Sequence, residues 1–344
     1  MTWLGAKVKL PNGWRVPWQS RDDAATSNAR SPRRIGALIV ALVLVFLGAL
    51  GIYWSAEPGF IESDEPVATL PPGEVTVSAL IDVIDVLLHK PGGYLSNDVL
   101  PPAIWLDNIP SWEFGVLVQV RDLSKALRES FSRSQSQSSE DRDLALAEPR
   151  FNVDHTSWAV PWPESEYADG QAFLAAYAAR LGAGESQDGE FFARADNLRY
   201  WFTTVETRLG SLSQRLSASV GQRRLDGLPS VANNAPKQRE RKIKTPWFEV
   251  DNVFYEARGT TWALLHFLRA VERDFADVLE KKNATTGLQQ IIRELEMSQQ
   301  PVNAPMIVNG QGFGLFANHS LVMASYISRA NAALIDLREL LSRG

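Results

Sequence analysis

The sequence predicts an all-α fold: one N-terminal transmembrane helix followed by a large helical-bundle domain with long loops. Three observations lead there. Residues 35–54 are apolar throughout and carry no charge. Beyond them, apolar side chains recur at the three- and four-residue spacing of a helix face. Strand-like composition is confined to two short stretches, Pro305–Val308 and Phe248–Phe254, which read as short extended pieces.

The run Ile35–Trp54 has twenty residues; at about 1.5 Å per residue it spans about 30 Å, the thickness of a hydrocarbon core. Tyr53 and Trp54 close it with rings that favour a membrane interface. Lys7, Lys9, Arg15, Arg21, Arg30, Arg33 and Arg34 precede it, against Asp22 and Asp23. After it come Glu57, Glu62, Asp64, Glu65 and Glu74, with no Lys or Arg before Lys90. Because positive charge stays on the cytoplasmic side, the N-terminus is expected inside and the rest across the membrane. A cleaved signal peptide fits less well: the polar leader is long, the apolar run exceeds the usual length, and Trp54 spoils the small-residue cleavage pattern around Ser55 and Ala56. The expected organisation is a basic tail (1–34), an anchor (35–54), an acidic proline-rich tether (55–73) that lifts the domain off the bilayer, and a helical periplasmic domain (74–344).

Charge and composition exclude several classes. The tail's seven basic and two acidic residues give +5, and the whole chain is −5, so the outer part carries about −10. An acidic domain is a poor partner for nucleic acid. There is no cysteine, which removes disulfides, thiolate metal sites and a cysteine nucleophile. His89, His155, His266 and His319 are far apart in sequence, and Asp154-His155 is the one adjacent pair. No metal and no cofactor is expected.

Along the outer domain, Val75–Lys90 reads as a helix whose polar residues Ser78, Asp82, Asp85 and His89 make one narrow stripe, so its other sides are buried. A second helix runs from Ser111 to Phe131 with Val116, Val120, Leu123, Leu127 and Phe131 inward. Residues 132–150 read as a loop or subdomain break, and the segment Phe151–Tyr167, with two prolines, as loop. Asp169 is expected to cap a helix ending at Leu181. Further helices are expected over 188–220, with Phe191, Leu198, Phe202, Val205, Leu209, Leu212 and Leu216 inward, and over 255–282, 287–297 and 320–342. Residues 222–246 break the pattern. They hold Arg223, Arg224, Lys237, Arg239, Arg241, Lys242 and, at their edge, Lys244, a basic region suited to lipid head groups or an acidic partner. The segment starting DNIPSWEFG at Asp107 loosely echoes DNVFYEARG at Asp251, a pattern a duplicated helical unit would leave.

Catalytic templates fail one after another. G-x-S-x-G, Ser-x-x-Lys, HExxH and the phosphate loops are absent. The GLQQI at 287–291 has no Glu-Ser suitably placed upstream to open a substrate-cleft helix, as a lytic transglycosylase would need. GQGFG at 310–314 offers glycines for a tight turn beside polar side chains. The first candidate binding surface is therefore the loop bearing Asn309, Gly310, Gly312, Asn318 and His319, since such loops present backbone groups to a ligand. The second is Asp107, Asn108 and Trp112. If the domain cleaved glycan, Glu113 or Glu256 would be the general acid.

Five segments, GGYLSND (92–98), DNIPSWEFGVL (107–117), DNVFYEARG (251–259), IIRELE (291–296) and ANHSLVMASYISRANAALIDLRELL (317–341), together resemble a proteobacterial, pseudomonad-type inner-membrane protein family known only as a domain of unknown function. The resemblance runs over nearly the whole chain. It implies an inner-membrane anchor with a periplasmic domain, and assigns no activity and no catalytic residues. The expected function is that of a membrane-anchored periplasmic binding or scaffold protein whose partner is an envelope protein or cell-wall component. The alternative is a peptidoglycan-active hydrolase or lyase.

Overall fold

The computed structural model describes residues 32–61, 70–134, 138–182, 189–225, 240–302, 304, 306–310 and 316–343. The fold is all-α. Its helices are α1 (Pro32–Trp54), α2 (Glu74–His89), α3 (Asn108–Ala126), α4 (Arg142–Phe151), α5 (Pro163–Gly182), α6 (Ala195–Ser217), α7 (Val250–Asp274), α8 (Ala276–Lys281), α9 (Thr285–Ser298) and α10 (His319–Ser342). The chain divides into two units, Met1–Phe46 and Leu47–Gly344, with the boundary inside α1.

In the first unit, α1 is a helix whose apolar side chains, among them Leu38, Leu42 and Val45, are exposed. Arg33–Trp54 is long and apolar enough to cross a membrane, its most apolar 18-residue window having a mean hydropathy of 2.9.

The second unit is built on α7. Its buried side chains face every neighbour: Phe254, Trp262, Leu265, Phe267, Leu268 and Val271 are all almost fully covered. Packed against it are α2, α3 and α9, while α10 joins α6 to α9 and α4 lies on α5. α2 turns its Ser78, Asp85 and His89 outward, as its polar stripe requires, and buries Val77, Leu80, Val83, Ile84 and Leu87. Its first turn is closed from α7's far end, where Asp274 Oδ2 accepts from the Thr76 amide (2.7 Å) and hydroxyl (2.6 Å). A carboxylate there meets the orphan N–H groups and positive dipole end of α2. α2 thus begins beside the end of α7 and runs back along it.

α3 and α7 meet backbone to backbone. A Cβ on Gly115 would overlap the Glu256 carbonyl oxygen, and one on Gly259 the Trp112 carbonyl oxygen. The Thr260 hydroxyl donates to the Gly115 carbonyl (3.3 Å). Both glycines lie eight residues after the Asp of an Asp-Asn pair, Asp107 and Asp251. The loose echo in the sequence thus corresponds to two helices crossing at equivalent positions.

Several elements differ from expectation. Within the expected break at 132–150 lies α4, capped by Asp141, whose Oδ1 accepts from the amides of Asp143 (2.9 Å) and Leu144 (3.1 Å). Buried Arg180 of α5 bonds both Asp141 and Asp143 at 2.7 Å, fixing that end. α5 starts at Pro163 rather than after Asp169, because proline suits the first helical position. Phe248–Phe254 is not extended: a 3-10 turn, Trp247–Glu249, leads straight into α7. Of the expected extended piece Pro305–Val308, Pro305 lies outside the described residues and 306–308 form no strand; a single bridge follows, between Asn309 and Asn318. Within the basic break, β1 (Gln222–Leu225) and β2 (Glu240–Ile243) pair as a short antiparallel ribbon; Lys237 and Arg239 lie outside the described residues.

The start of the expected tether is fastened down. Glu57 pairs with buried Arg258 (2.7 Å), Trp262 Nε1 donates to the Gly59 carbonyl (3.1 Å), and the Ile61 amide donates to His266 Nε2 (3.0 Å). An N–H can only donate, so Nε2 is unprotonated and Nδ1 carries the proton given to the Trp262 carbonyl (2.8 Å). Burial holds the His266 ring neutral, with its pKa lowered to about 4. Residues 57–61 are thus a strap on α7; residues 62–69 lie outside those described.

Candidate functional site

The α3–α7 crossing opens a cleft at the first turns of both helices. About 280 Å³ in volume, it is lined by Pro110, Ser111 and Phe114 of α3, by Asn252, Val253 and Glu256 of α7 with Glu249 just before it, and by Ser96, His155 and Thr156 from two loops. Gly115 and Gly259 mark the closest approach of the two helices, and the cleft lies on the N-terminal side of it.

The Ser96 wall is held from beneath by a buried ionic node. Glu113 Oε1 accepts from the Leu95 amide (2.9 Å), and Oε2 from the Ser96 amide (2.8 Å) and hydroxyl. Lys90 forms an ion pair with the same carboxylate, both side chains being essentially fully covered. Burial pushes the Glu113 carboxyl up from its ordinary range, against the pull of Lys90 and the Ser96 hydroxyl. Lys90 also donates to the Gly93 carbonyl, so the node sets the whole Lys90–Ser96 turn.

On the opposite wall, the His155 ring lies on Phe114 with centroids 4.7 Å apart. Burial lowers its pKa, which favours neutral imidazole at neutral pH. The Ser111 hydroxyl donates to the Asp107 carbonyl (2.8 Å) and that of Thr156 to Asp154 (2.9 Å). Glu256 is held by Arg215, with Nη1 2.7 Å from Oε2. Glu249 is exposed. Asn252 Oδ1 is buried without a hydrogen-bond partner. The cleft therefore offers one aromatic face, a neutral imidazole, hydroxyls and two carboxylates, one of them paired with Arg215.

The residues singled out in the sequence fall in three places. Glu256 and, through Ser96, Glu113 belong to the cleft or its support. Asp107 is exposed at the N-cap of α3, Asn108 is the helix's first residue, and Trp112 is fully buried with its ring 5.1 Å from Trp262. The Asn309–His319 group stands apart; most of its described polar atoms are used internally, while Asn309 Nδ2 is buried without a hydrogen-bond partner. Asn318 Oδ1 caps α10 through the Leu321 amide (2.8 Å), and its Nδ2 donates to the Gly310 carbonyl (2.8 Å). Asn309 Oδ1 accepts from the Ser320 amide (3.1 Å), and His319 Nδ1 from the Val308 amide (2.9 Å). Gly312 lies outside the described residues. Sequence reasoning missed Ser96, Asn252 and His155 as neighbours; the repeated Asp-Asn pair was the one signal that pointed to Asn252.

Among the described residues no group of three or more His, Asp or Glu side chains is placed to hold a metal ion. No curated protein and no solved structure matches the chain. A family model described as "Uncharacterized protein conserved in bacteria (DUF2333)" matches residues 28–344. That match takes in the apolar helix and the whole helical domain, and the chain belongs to this bacterial family.

Proposed function

We propose that this is a binding protein of the bacterial cell envelope, crossing the inner membrane once through α1, with its N-terminal tail in the cytoplasm and its helical domain in the periplasm. The cleft between α3 and α7 takes the ligand. The exposed Glu249 carboxylate, neutral His155, the hydroxyls and Phe114 suit a compact molecule carrying an amino group and hydroxyls beside an apolar face, the chemistry of a cell-wall fragment. The observation that carries this reading is the cleft itself, about 280 Å³ at the first turns of α3 and α7, with Phe114, His155, hydroxyls and Glu249 gathered on its walls. Binding fits better than hydrolysis because both carboxylates considered as general acids are committed: Glu113 to Lys90 and the Leu95–Ser96 turn, Glu256 to Arg215.

Titration of soluble muropeptides into the purified full chain, followed by intrinsic tryptophan fluorescence, tests it. Saturable binding is expected, weakened about tenfold or more by Phe114→Ala or Glu249→Gln, the loss of about 1.4 kcal/mol of contact. Binding that both variants leave unchanged, or none at millimolar ligand, overturns the cleft assignment.

A further inference from the structure

Two exposed apolar turns lead into the two helices that line the cleft. Before α3, the segment 99–105 presents Val99, Leu100 (73% exposed), Ile104 and Trp105. Before α7, the turn at 247–249 presents Trp247 and Phe248 (85% exposed). Both clusters are left exposed by the described residues.

The first is placed by direct contact. A Cβ on Gly51 of α1 would sit 3.6 Å from Pro102 Cβ and 3.8 Å from Leu106 Cδ2. The Trp54 ring covers Gly92, where a Cβ would come within 2.8 Å. The Lys90–Leu106 segment therefore embraces the last turn of α1. Gly51 precedes Trp54 by three residues, about 4.5 Å of helix rise, so this segment stands at the edge of the apolar span.

The second is placed by register. The strap meets α7 at Arg258, Trp262 and His266 through Glu57, Gly59 and Ile61. Four extended residues cover about 13 Å and eight helical ones about 12 Å, so strap and helix run side by side in the same direction. The N-terminal end of α7 thus points back towards α1. Phe248 lies ten residues before Arg258, about 15 Å down that axis, while Trp54 is at most about 10 Å before Glu57. α2, capped by Asp274 at the far end of α7, returns along it and delivers the first turn to the same level.

We infer that Val99–Trp105 and Trp247–Phe248 form a two-point seat in the headgroup layer of the bilayer that α1 crosses. The occupant is phospholipid: apolar and indole side chains beside a membrane helix suit the boundary between headgroups and acyl chains. The cleft, lying between the two turns, then opens beside the headgroups.

The seat rests on the reading of α1 as a membrane span, and the test separates the two. Because the chain has no cysteine, single replacements Val45→Cys, Ile104→Cys, Phe248→Cys and Ile335→Cys can each carry a nitroxide without background. The full chain is reconstituted in phosphatidylethanolamine–phosphatidylglycerol vesicles, and oxygen and nickel-chelate accessibilities are compared. Position 45 should read as deep in lipid, 335 as aqueous, and 104 and 248 as shielded from nickel at about 5–10 Å depth. If either 104 or 248 is as open to nickel as 335 while 45 stays in lipid, the seat is overturned and the anchor stands. If 45 itself is open to nickel, the span fails and the seat with it.

Discussion

Glu113 shows how one carboxylate can be mistaken for a catalyst from its surroundings in sequence. It follows Trp112 near a helix start, which suits a sugar site, yet its four donors come from the protein itself. With Lys90 equally covered, the pair cannot be broken one-sidedly without stranding a charge in the core. Glu113→Gln is expected to lower stability by about 3–5 kcal/mol, and Lys90→Met by a similar amount. The double variant should recover most of the loss, since no buried charge remains and the glutamine oxygen still accepts from the Leu95–Ser96 turn. Chemical denaturation of the four proteins reads this out. A Glu113→Gln protein as stable as the parent would show that the node is not structural.

At the scale of elements, the α3–α7 crossing is the joint from which the cleft follows. Alanine at Gly115 or Gly259 forces its methyl against a carbonyl oxygen of the facing helix, where no side chain can swing away. Each substitution should cost about 3 kcal/mol, the upper range for overpacking, and should loosen ligand binding by changing helix separation. Thermal unfolding and the titration above report the two effects; a Gly115→Ala protein unchanged in both would remove the joint from the account. Legibility at this scale depended on periodicity. The inward faces of α2, α3 and α6 were readable because their apolar spacing survives any context. α4 was hidden, since Pro149 and its short length mask a helix made by the Asp141 cap and Arg180. The start of α7 was misread because Val and Phe make up four of the seven residues of Phe248–Phe254, and tertiary burial overrode their strand preference. The cleft was not legible at all. Its walls come from four stretches brought together by two glycines whose importance shows only when the facing backbone is seen.

For the molecule as a whole, the strap decides how the helical domain hangs on the residues that follow α1. Its last bond requires neutral His266, since a proton on Nε2 would face the Ile61 N–H, and Arg269 adds further repulsion. With a folded pKa of about 4 against 6.5 unfolded, the unfolded chain binds the extra proton between those values. Stability is therefore full above pH 6.5 and falls as pH drops towards 4, by roughly 3 kcal/mol in all. Unfolding free energies measured across that window should lose about one proton's worth of slope in His266→Gln. An identical slope in the variant would assign the pH response to other groups.

The glycine crossing has a mechanical consequence. It behaves as the rivet of a pair of tongs with very short jaws. The cleft walls lie one to two helical turns from the rivet, about 5–10 Å, so a 10° swing of one helix moves a wall by only about 1–2 Å. Jaws that short cannot open for a bulky guest or close far around a slight one. Size selection is then set by the helices themselves, and a ligand is accepted or refused at the rim rather than enclosed by movement.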